Sequence, residues 1–298
     1  MINELREYAT VTEHGSLKKY NTYRLDSKAK YVILPHSIND LIAVLKLLKE
    51  NNIKYFILGN GSNVVVGEGE YNGAAIILTQ LNGMEIHPEL QMAYAEAGVM
   101  LPVLAQESVK KSLTGLEFAA GIPGTVGGSI YGNAGAYNSC ILDYVSSVTV
   151  LDENLEMKVL EHEDITYGYR TSCFKENNNY IILSAKFYLK EGDKANSLEI
   201  IEERRLRRAE SQPLEYPSAG SVFRNPEGDF AGRLIESCNL KGHRIGGAEV
   251  SEKHANFVIN KDNASAADVR NLIKQIHDEV QAKTEVDLIS EQEFIDWE

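Results

Sequence analysis

The stretch Gly115-Leu116-Glu117-Phe118-Ala119-Ala120-Gly121-Ile122-Pro123-Gly124-Thr125-Val126-Gly127-Gly128-Ser129-Ile130-Tyr131-Gly132-Asn133-Ala134-Gly135-Ala136-Tyr137 decides the fold. It holds seven glycines in 23 residues. Each interior glycine costs about 0.5–1 kcal/mol against alanine unless the backbone needs positive φ or lies against something large. Ligand approach is one such reason, because bare N–H groups in glycine turns form concavities for phosphate oxygens. A second such turn lies upstream, Ile57-Leu58-Gly59-Asn60-Gly61-Ser62-Asn63-Val64-Val65-Val66. Two turns of this kind point to a long, doubly phosphorylated ligand.

A Rossmann-bound dinucleotide is excluded. That fingerprint needs its glycines between a strand and a helix. Here Gly59-Asn60-Gly61 precedes Val64, Val65 and Val66, and three β-branched residues in a row favour a strand. The turn is read as strand, glycine turn, strand. Taken alone it could be an ordinary loop; Gly121 to Gly135 resists that reading.

Composition sets the class. The chain has 298 residues, 43% hydrophobic and 24% charged, which suits two or three globular domains. Its formal net charge of −13 speaks against general nucleic-acid binding, which depends on neutralising phosphates. No apolar run is long enough for a membrane span, and Met1–Glu7 carries no secretory signal pattern. Cys140, Cys173 and Cys238 are widely separated, which fits buried hydrophobes in a reducing cytoplasm. The seven histidines do not cluster, so no metal site is expected. The run Arg204-Arg205-Leu206-Arg207-Arg208 follows Glu202-Glu203 and reads first as a solvated helix face with pairs such as Glu203–Arg207.

Tyr31–Leu34 reads as a strand, Asn39 as the cap of a helix with Leu41, Ile42, Leu45 and Leu48 on its apolar face, and Tyr55–Leu58 as the next strand. A helix over Leu101–Leu113 follows. Strand-like runs occupy Ala74–Leu78, Met92–Val99, Val145–Leu151, Met157–Leu160 and Tyr180–Leu189. Leu198–Glu210 looks helical, and Gln212–Pro217, with two prolines, is the best linker. Beyond it, Phe230–Cys238 reads as a helix. Ser265-Ala266-Ala267-Asp268 resembles a capping box before a helix with Val269, Leu272, Ile273, Ile276 and Val280 on one face.

Several further motifs complete the pattern: Asn21-Thr22-Tyr23-Arg24-Leu25, Tyr167-Gly168-Tyr169-Arg170-Thr171-Ser172-Cys173-Phe174-Lys175, Pro217-Ser218-Ala219-Gly220-Ser221-Val222-Phe223-Arg224-Asn225-Pro226, and Ala248-Glu249-Val250-Ser251-Glu252-Lys253-His254-Ala255-Asn256-Phe257. With the two glycine turns, in this order, the chain resembles the UDP-N-acetylenolpyruvoylglucosamine reductases, and among them the subclass without a tyrosine-bearing insertion. The resemblance implies an α+β fold: a two-part FAD-binding unit of the vanillyl-alcohol-oxidase superfamily type, with a C-terminal α+β substrate domain. The expected divisions are 1–78 and 79–212 for the two FAD-binding subdomains and 213–298 for the substrate domain.

The resemblance also implies an NADPH-using flavoprotein oxidoreductase. It would reduce UDP-N-acetylglucosamine enolpyruvate to UDP-N-acetylmuramate in cytoplasmic peptidoglycan precursor synthesis, and so bear on cell shape and division. FAD would be non-covalent. It would be held by Gly59, Asn60, Gly61, Ser62 and Asn63, by Gly121, Ile122, Pro123, Gly124, Val126, Gly127, Gly128, Asn133 and Gly135, and by Arg208. No nucleic-acid or membrane partner is expected, and a monomer is favoured.

Within that resemblance, Arg170 takes the substrate carboxylate, for which a guanidinium offers a planar, permanently charged fork. Ser221 matches the proton donor and Glu291 the assisting acid. Tyr169, Asn225, Lys241 and His254 match substrate-holding positions. The run Leu288-Ile289-Ser290-Glu291-Gln292-Glu293 departs from the usual Leu-Glu-Pro-Glu-Val-Arg, with Glu293 in place of arginine. Two rivals are disfavoured: an FAD oxidase of the same superfamily would show a covalent-flavin His or Cys in the glycine-rich region, where none is evident, and a non-catalytic nucleotide-sugar binder would lack Arg170, Ser221 or Glu291, all of which are present.

Overall fold

Four apolar residues at helical spacing, Leu41, Val44, Leu45 and Leu48, lie buried along one face of the helix Ile38–Glu50. The cap is Ser37 rather than the expected Asn39. Ser37 is extended (φ −149°, ψ 171°), and its Oγ accepts the Asp40 N–H at 3.1 Å. Asn39 falls inside the first turn, where its side chain cannot cap. A computed structural model describes residues 1–176 and 179–296.

The chain divides into two compact units, each discontinuous in sequence. The first comprises Met1–Thr12, Ile33–Asn60 and Ala74–Arg207; the second comprises Glu13–Val32, Gly61–Gly73 and Arg208–Glu298.

In the first unit the strand Tyr55–Leu58 runs parallel to the strand Glu70–Ile77, pairing Tyr55 with Ala74 and Leu58 with Ile77. A five-stranded antiparallel sheet has the order Met157–Glu161, Val145–Leu151, Ile181–Tyr188, Met92–Glu96 and Met84–His87. The strand expected over Met92–Val99 stops at Glu96. Beyond it, the carbonyls of Ala97 and Val99 accept the N–H groups of Gly127 and Val126, at 2.9 and 2.8 Å. The sheet edge is thereby exchanged for contact with the glycine-rich segment. The helix Leu101–Lys110 buries Leu101, Leu104, Ala105 and Val109.

The second unit has its own core, in which Tyr23, Leu25, Val65, Phe223, Ile235 and Leu288 pack with one face of the helix Ala266–Thr284. That face is Val269, Leu272, Ile273, Ile276 and Val280, as the spacing predicts. Burying each such side chain contributes about 1.5–3 kcal/mol. The capping box is present: Ser265 Oγ accepts from Asp268 N at 3.0 Å, and Asp268 Oδ2 accepts from Ser265 N at 2.9 Å. The strand Glu293–Ile295 pairs in parallel with Val64–Val66, the strand leaving the first glycine turn.

Candidate functional site

In the first unit the two glycine-rich segments are built against each other. A Cβ on Gly59 would stand 2.2 Å from Thr125 Oγ1, so only glycine allows the approach. Asn60 Nδ2 donates to Pro123 O at 2.6 Å, stitching the same two loops. Gly127 is demanded by packing as well, since its Cβ would lie 2.8 Å from Ala97 Cβ. The N–H groups of Val126 and Gly127 are engaged by Val99 and Ala97, and that of Gly128 faces the Thr125 hydroxyl at 3.4 Å. At Val126 and Gly127 the backbone N–H is therefore spent within the protein. In the Gly59–Asn63 turn, by contrast, the backbone N–H groups have no acceptor among the described residues.

Asn133 is 2% exposed, and both ends of its amide are used inward. Nδ2 donates to Gly168 O at 2.8 Å and Oδ1 accepts from Leu142 N at 3.4 Å. It fastens the hairpin Tyr167–Gly168/Thr171–Ser172, whose two-residue turn is Tyr169-Arg170. Ser172, fully buried, donates to Tyr131 O at 2.7 Å and anchors the same hairpin. Arg170 sits at φ +58°. Its Nη2 donates to Gly135 O at 2.9 Å, and its guanidinium lies 5.1 Å from the centre of the exposed Tyr169 ring. Gly135 begins a short hairpin with Ser139–Cys140. The glycine-rich stretch thus delivers a carbonyl that orients the arginine.

The arginine run lies in the helix Lys194–Ser211. In it Glu202 and Arg205 form a bidentate pair, at 2.7 and 2.6 Å. Arg204 stacks 4.5 Å over Tyr137. Arg208 is half-buried near the helix end.

In the second unit, Asn21 knits its own loop, donating to Leu17 O and Leu25 O at 2.8 and 2.9 Å and accepting from Leu25 N. The following residue, Thr22, donates its N–H to Gly61 O at 3.1 Å. Gly61 has φ +59°, a conformation that favours glycine. The Asn-Thr-Tyr-Arg motif therefore supports the first glycine turn from beneath. Asn63 Nδ2 donates to Glu291 O at 2.9 Å, and Asn63 O accepts from Glu293 N at 2.9 Å. Its side chain seats the Glu291 backbone.

Ser221 and Glu291 lie on segments that bond to each other. Glu291 N donates to Val222 O at 2.8 Å, Arg224 N donates to Ile289 O at 2.9 Å, and Phe223 faces Ser290 in an antiparallel bridge. Asn256 holds this loop from behind, with Nδ2 on Phe223 O at 2.8 Å and Oδ1 on Phe223 N at 2.9 Å. Both Ser221 and Glu291 are half-buried.

Asn225 Oδ1 accepts from Ala231 N at 3.1 Å, at the start of the helix Ala231–Ser237. Lys241 Nζ bonds Glu236 at 2.7 Å. Burial holds the His254 imidazole below its usual pKa, and the Lys241 charge acts in the same direction. His254 Nδ1 accepts from Asn256 N at 3.2 Å, so in the neutral ring the other nitrogen, Nε2, carries the proton. Sequence reasoning missed Asn256, Tyr23 and Gln292 as parts of this framework; nothing local marks them, because their partners lie far along the chain.

The first unit fits FAD. A turn of unengaged amides is what a diphosphate requires, and the close approach of Gly59 to Thr125 sets the second glycine-rich loop beside it. Residues 29–160 match the FAD binding domain family. Residues 212–295 match the C-terminal domain of UDP-N-acetylenolpyruvoylglucosamine reductase. The reductase of that name from Caldicellulosiruptor bescii is 45% identical over 281 residues, 94% of this chain and 88% of that protein. The one from Clostridium novyi is 43% identical over 275 residues, 92% of this chain and 89% of that protein. The crystal structure of UDP-N-acetylenolpyruvylglucosamine reductase (MurB) from Thermus caldophilus superposes with a TM-score of 0.80 at 30% identity, covering 96% and 98% of the two chains. Wild-type Phl p 4.0202, a glucose dehydrogenase, shares the fold over 65% of this chain and 44% of its own, with a TM-score of 0.52 at 14% identity.

The chain is an FAD-dependent oxidoreductase, with a two-part cofactor-binding fold of the vanillyl-alcohol-oxidase type followed by an α+β domain. It belongs to the UDP-N-acetylenolpyruvoylglucosamine reductase family.

Proposed function

We propose that this chain reduces the enolpyruvyl ether of UDP-N-acetylglucosamine to UDP-N-acetylmuramate, with NADPH as the reductant. The reading places it in the cytoplasm, as a monomer, in cell-wall precursor synthesis, and so upstream of cell shape and division. By ligand role, residues 1–78 and 79–212 serve the cofactor and 213–298 serve the substrate. FAD, held non-covalently, would supply the redox chemistry that links NADPH to the substrate's methylene carbon. The amides of Gly59–Asn63 and the loop Gly121–Gly124, with Ile122 and Pro123, hold the diphosphate; Val126, Gly127, Gly128, Asn133 and Gly135 shape its wall, and Arg208 adds charge.

Hydride arrival builds negative charge on the neighbouring carbon and the carboxylate. Arg170, pre-oriented by the Gly135 carbonyl, stabilises that charge, and fixed donors of this kind are worth most as charge develops. Ser221 delivers the proton to the carbon. Glu291 assists by stabilising or protonating the intermediate. Tyr169, Asn225, Lys241 and His254 bind the nucleotide-sugar end.

The observation that carries this reading is the backbone pairing that holds a serine and a glutamate together on one framework, Glu291 N on Val222 O at 2.8 Å. The test is single-turnover reoxidation of NADPH-reduced enzyme by the enolpyruvyl substrate. Ser221→Ala should be reduced normally and then stall, losing about 10²–10⁴-fold in that step. Near-wild-type reoxidation would remove Ser221 from the chemistry.

A further inference from the structure

Tyr23 and Gln292 are polar side chains shut away from water, 0% and 3% exposed. Buried groups of this kind need partners. The Tyr23 hydroxyl donates to Gln292 Oε1 at 3.2 Å. Gln292 Nε2 donates to Ala219 O at 3.1 Å and to Gly220 O at 3.5 Å. Burial raises the Tyr23 phenol well above its ordinary pKa, with hydrogen bonds to Gln292 and the Ala219 backbone acting the other way. It remains a neutral donor across the working pH range.

Two apolar side chains of the same shape could fill this space at little cost in stability. The polar pair does something that packing would not: it grips the two peptide units immediately before Ser221. Gly220 has φ +72°, and no atom lies within 4 Å of a Cβ added there. Gly220 itself therefore packs against nothing on that side, between the buried Ala219 and Val222. Downstream of Ser221 the backbone is fixed by Asn256 on Val222 and Phe223. Upstream, Gln292 holds the Ala219 and Gly220 carbonyls, and the Tyr23 hydroxyl also bonds the Ala219 backbone.

An amide can present either its NH₂ or its oxygen to a carbonyl, and only the NH₂ can bond it. The Ala219 and Gly220 carbonyls, which only accept, take the NH₂, and the Tyr23 O–H donates to the remaining oxygen and holds it there. We propose that Tyr23 and Gln292 form a positioning pair for Ser221: Gln292 fixes the Ala219–Gly220 turn, and Tyr23 fixes the orientation of Gln292. The proposal rests on the reading that Ser221 delivers the proton.

The test uses the FAD-loaded enzyme and four variants: Gln292→Met, Tyr23→Phe, the double variant and Ser221→Ala. Displacements near 1 Å cost up to about 10²-fold in a positioned reaction. Gln292→Met should slow reoxidation by the enolpyruvyl substrate by roughly 10–100-fold. Reduction by NADPH and substrate affinity, read from the flavin spectrum, should stay within about threefold, because neither needs the serine placed. Tyr23→Phe should show a smaller loss in the same step. Hydrogen exchange at the amides of residues 219–222 should speed up in both single variants.

The double variant separates positioning from stability. With both partners apolar it should regain the melting temperature lost in the single variants, yet remain as slow as Gln292→Met. Recovery of rate together with stability would overturn the proposal, as would equal losses in both half-reactions. Normal reoxidation in Gln292→Met beside a slow Ser221→Ala removes the positioning pair alone. Normal reoxidation in Ser221→Ala removes the reading beneath it.

Discussion

Replacing Asn256 with alanine tests how the Ser221 loop is held. The Asn256 side chain is 4% exposed, and it satisfies both the N–H and the C=O of Phe223, itself 2% exposed. Alanine leaves both main-chain groups buried without these bonds, and each orphaned group costs about 1–3 kcal/mol. Removing the polar amide from the interior offsets part of that, so a net loss of about 3 kcal/mol is expected. At roughly 2–4 °C per kcal/mol for a chain of this size, the melting temperature should fall by about 6–12 °C. The comparison is made by circular dichroism at saturating FAD for both proteins, since unequal cofactor occupancy would shift both curves. Asn256→Asp sharpens the argument. A carboxylate can accept from Phe223 N–H but cannot donate to Phe223 O, whereas the protonated acid can do both. Its folded pKa should therefore be raised, and its stability deficit should shrink as pH falls. An alanine variant melting within about 2 °C of wild type would refute the assignment of Asn256 as the support of this loop.

Gly127→Val should fail to accumulate as folded protein rather than fold without flavin, because the added side chain meets Ala97 rather than open space; soluble yield and circular dichroism check this. Arg170→Ala should slow reoxidation by substrate far more than reduction by NADPH in stopped-flow traces, and equal losses in both would contradict its role. His254 and His277 should act on stability with opposite signs. The His254 pKa is lowered by burial, so the unfolded chain binds more protons and stability is lost as pH falls below about 6.5 towards the lowered value. The His277 pKa is raised by Asp287 and Asp278, so its contribution is full below about 6.5 and lost as pH rises through the raised value. Urea titrations of His254→Gln and His277→Gln across that range should diverge from wild type in opposite directions.

Much of this was readable from local pattern. The strand–turn–strand around Gly59, the buried stripe from Val269 to Val280 and the Ser265 capping box all depend on neighbours within a few residues. The asparagines were harder. Asn60, Asn63 and Asn133 stand in glycine-rich loops, where a side chain facing a ligand and one facing another loop look the same in sequence. Their partners are Pro123, Glu291 and Gly168. Asn63 and Glu291 are 228 positions apart, and Tyr23 and Gln292 are 269 apart. No periodicity reports such a pairing. Gln292 was visible only as a departure from a familiar motif; its buried bond to Tyr23 gives that departure a physical reason.

The in-register pairing of Glu293 with Val64 has a temporal meaning on the ribosome. The strand that leaves the first glycine turn is synthesised early, yet its partner follows some 229 residues later. At about 5–20 residues per second, Val64–Val66 waits roughly 10–45 s with that edge uncovered. Pairings this distant along the chain also close slowly once available. The glycine turn thus gains its support from Thr22 as soon as it is made, while its valine edge stays open until the last residues of the chain arrive.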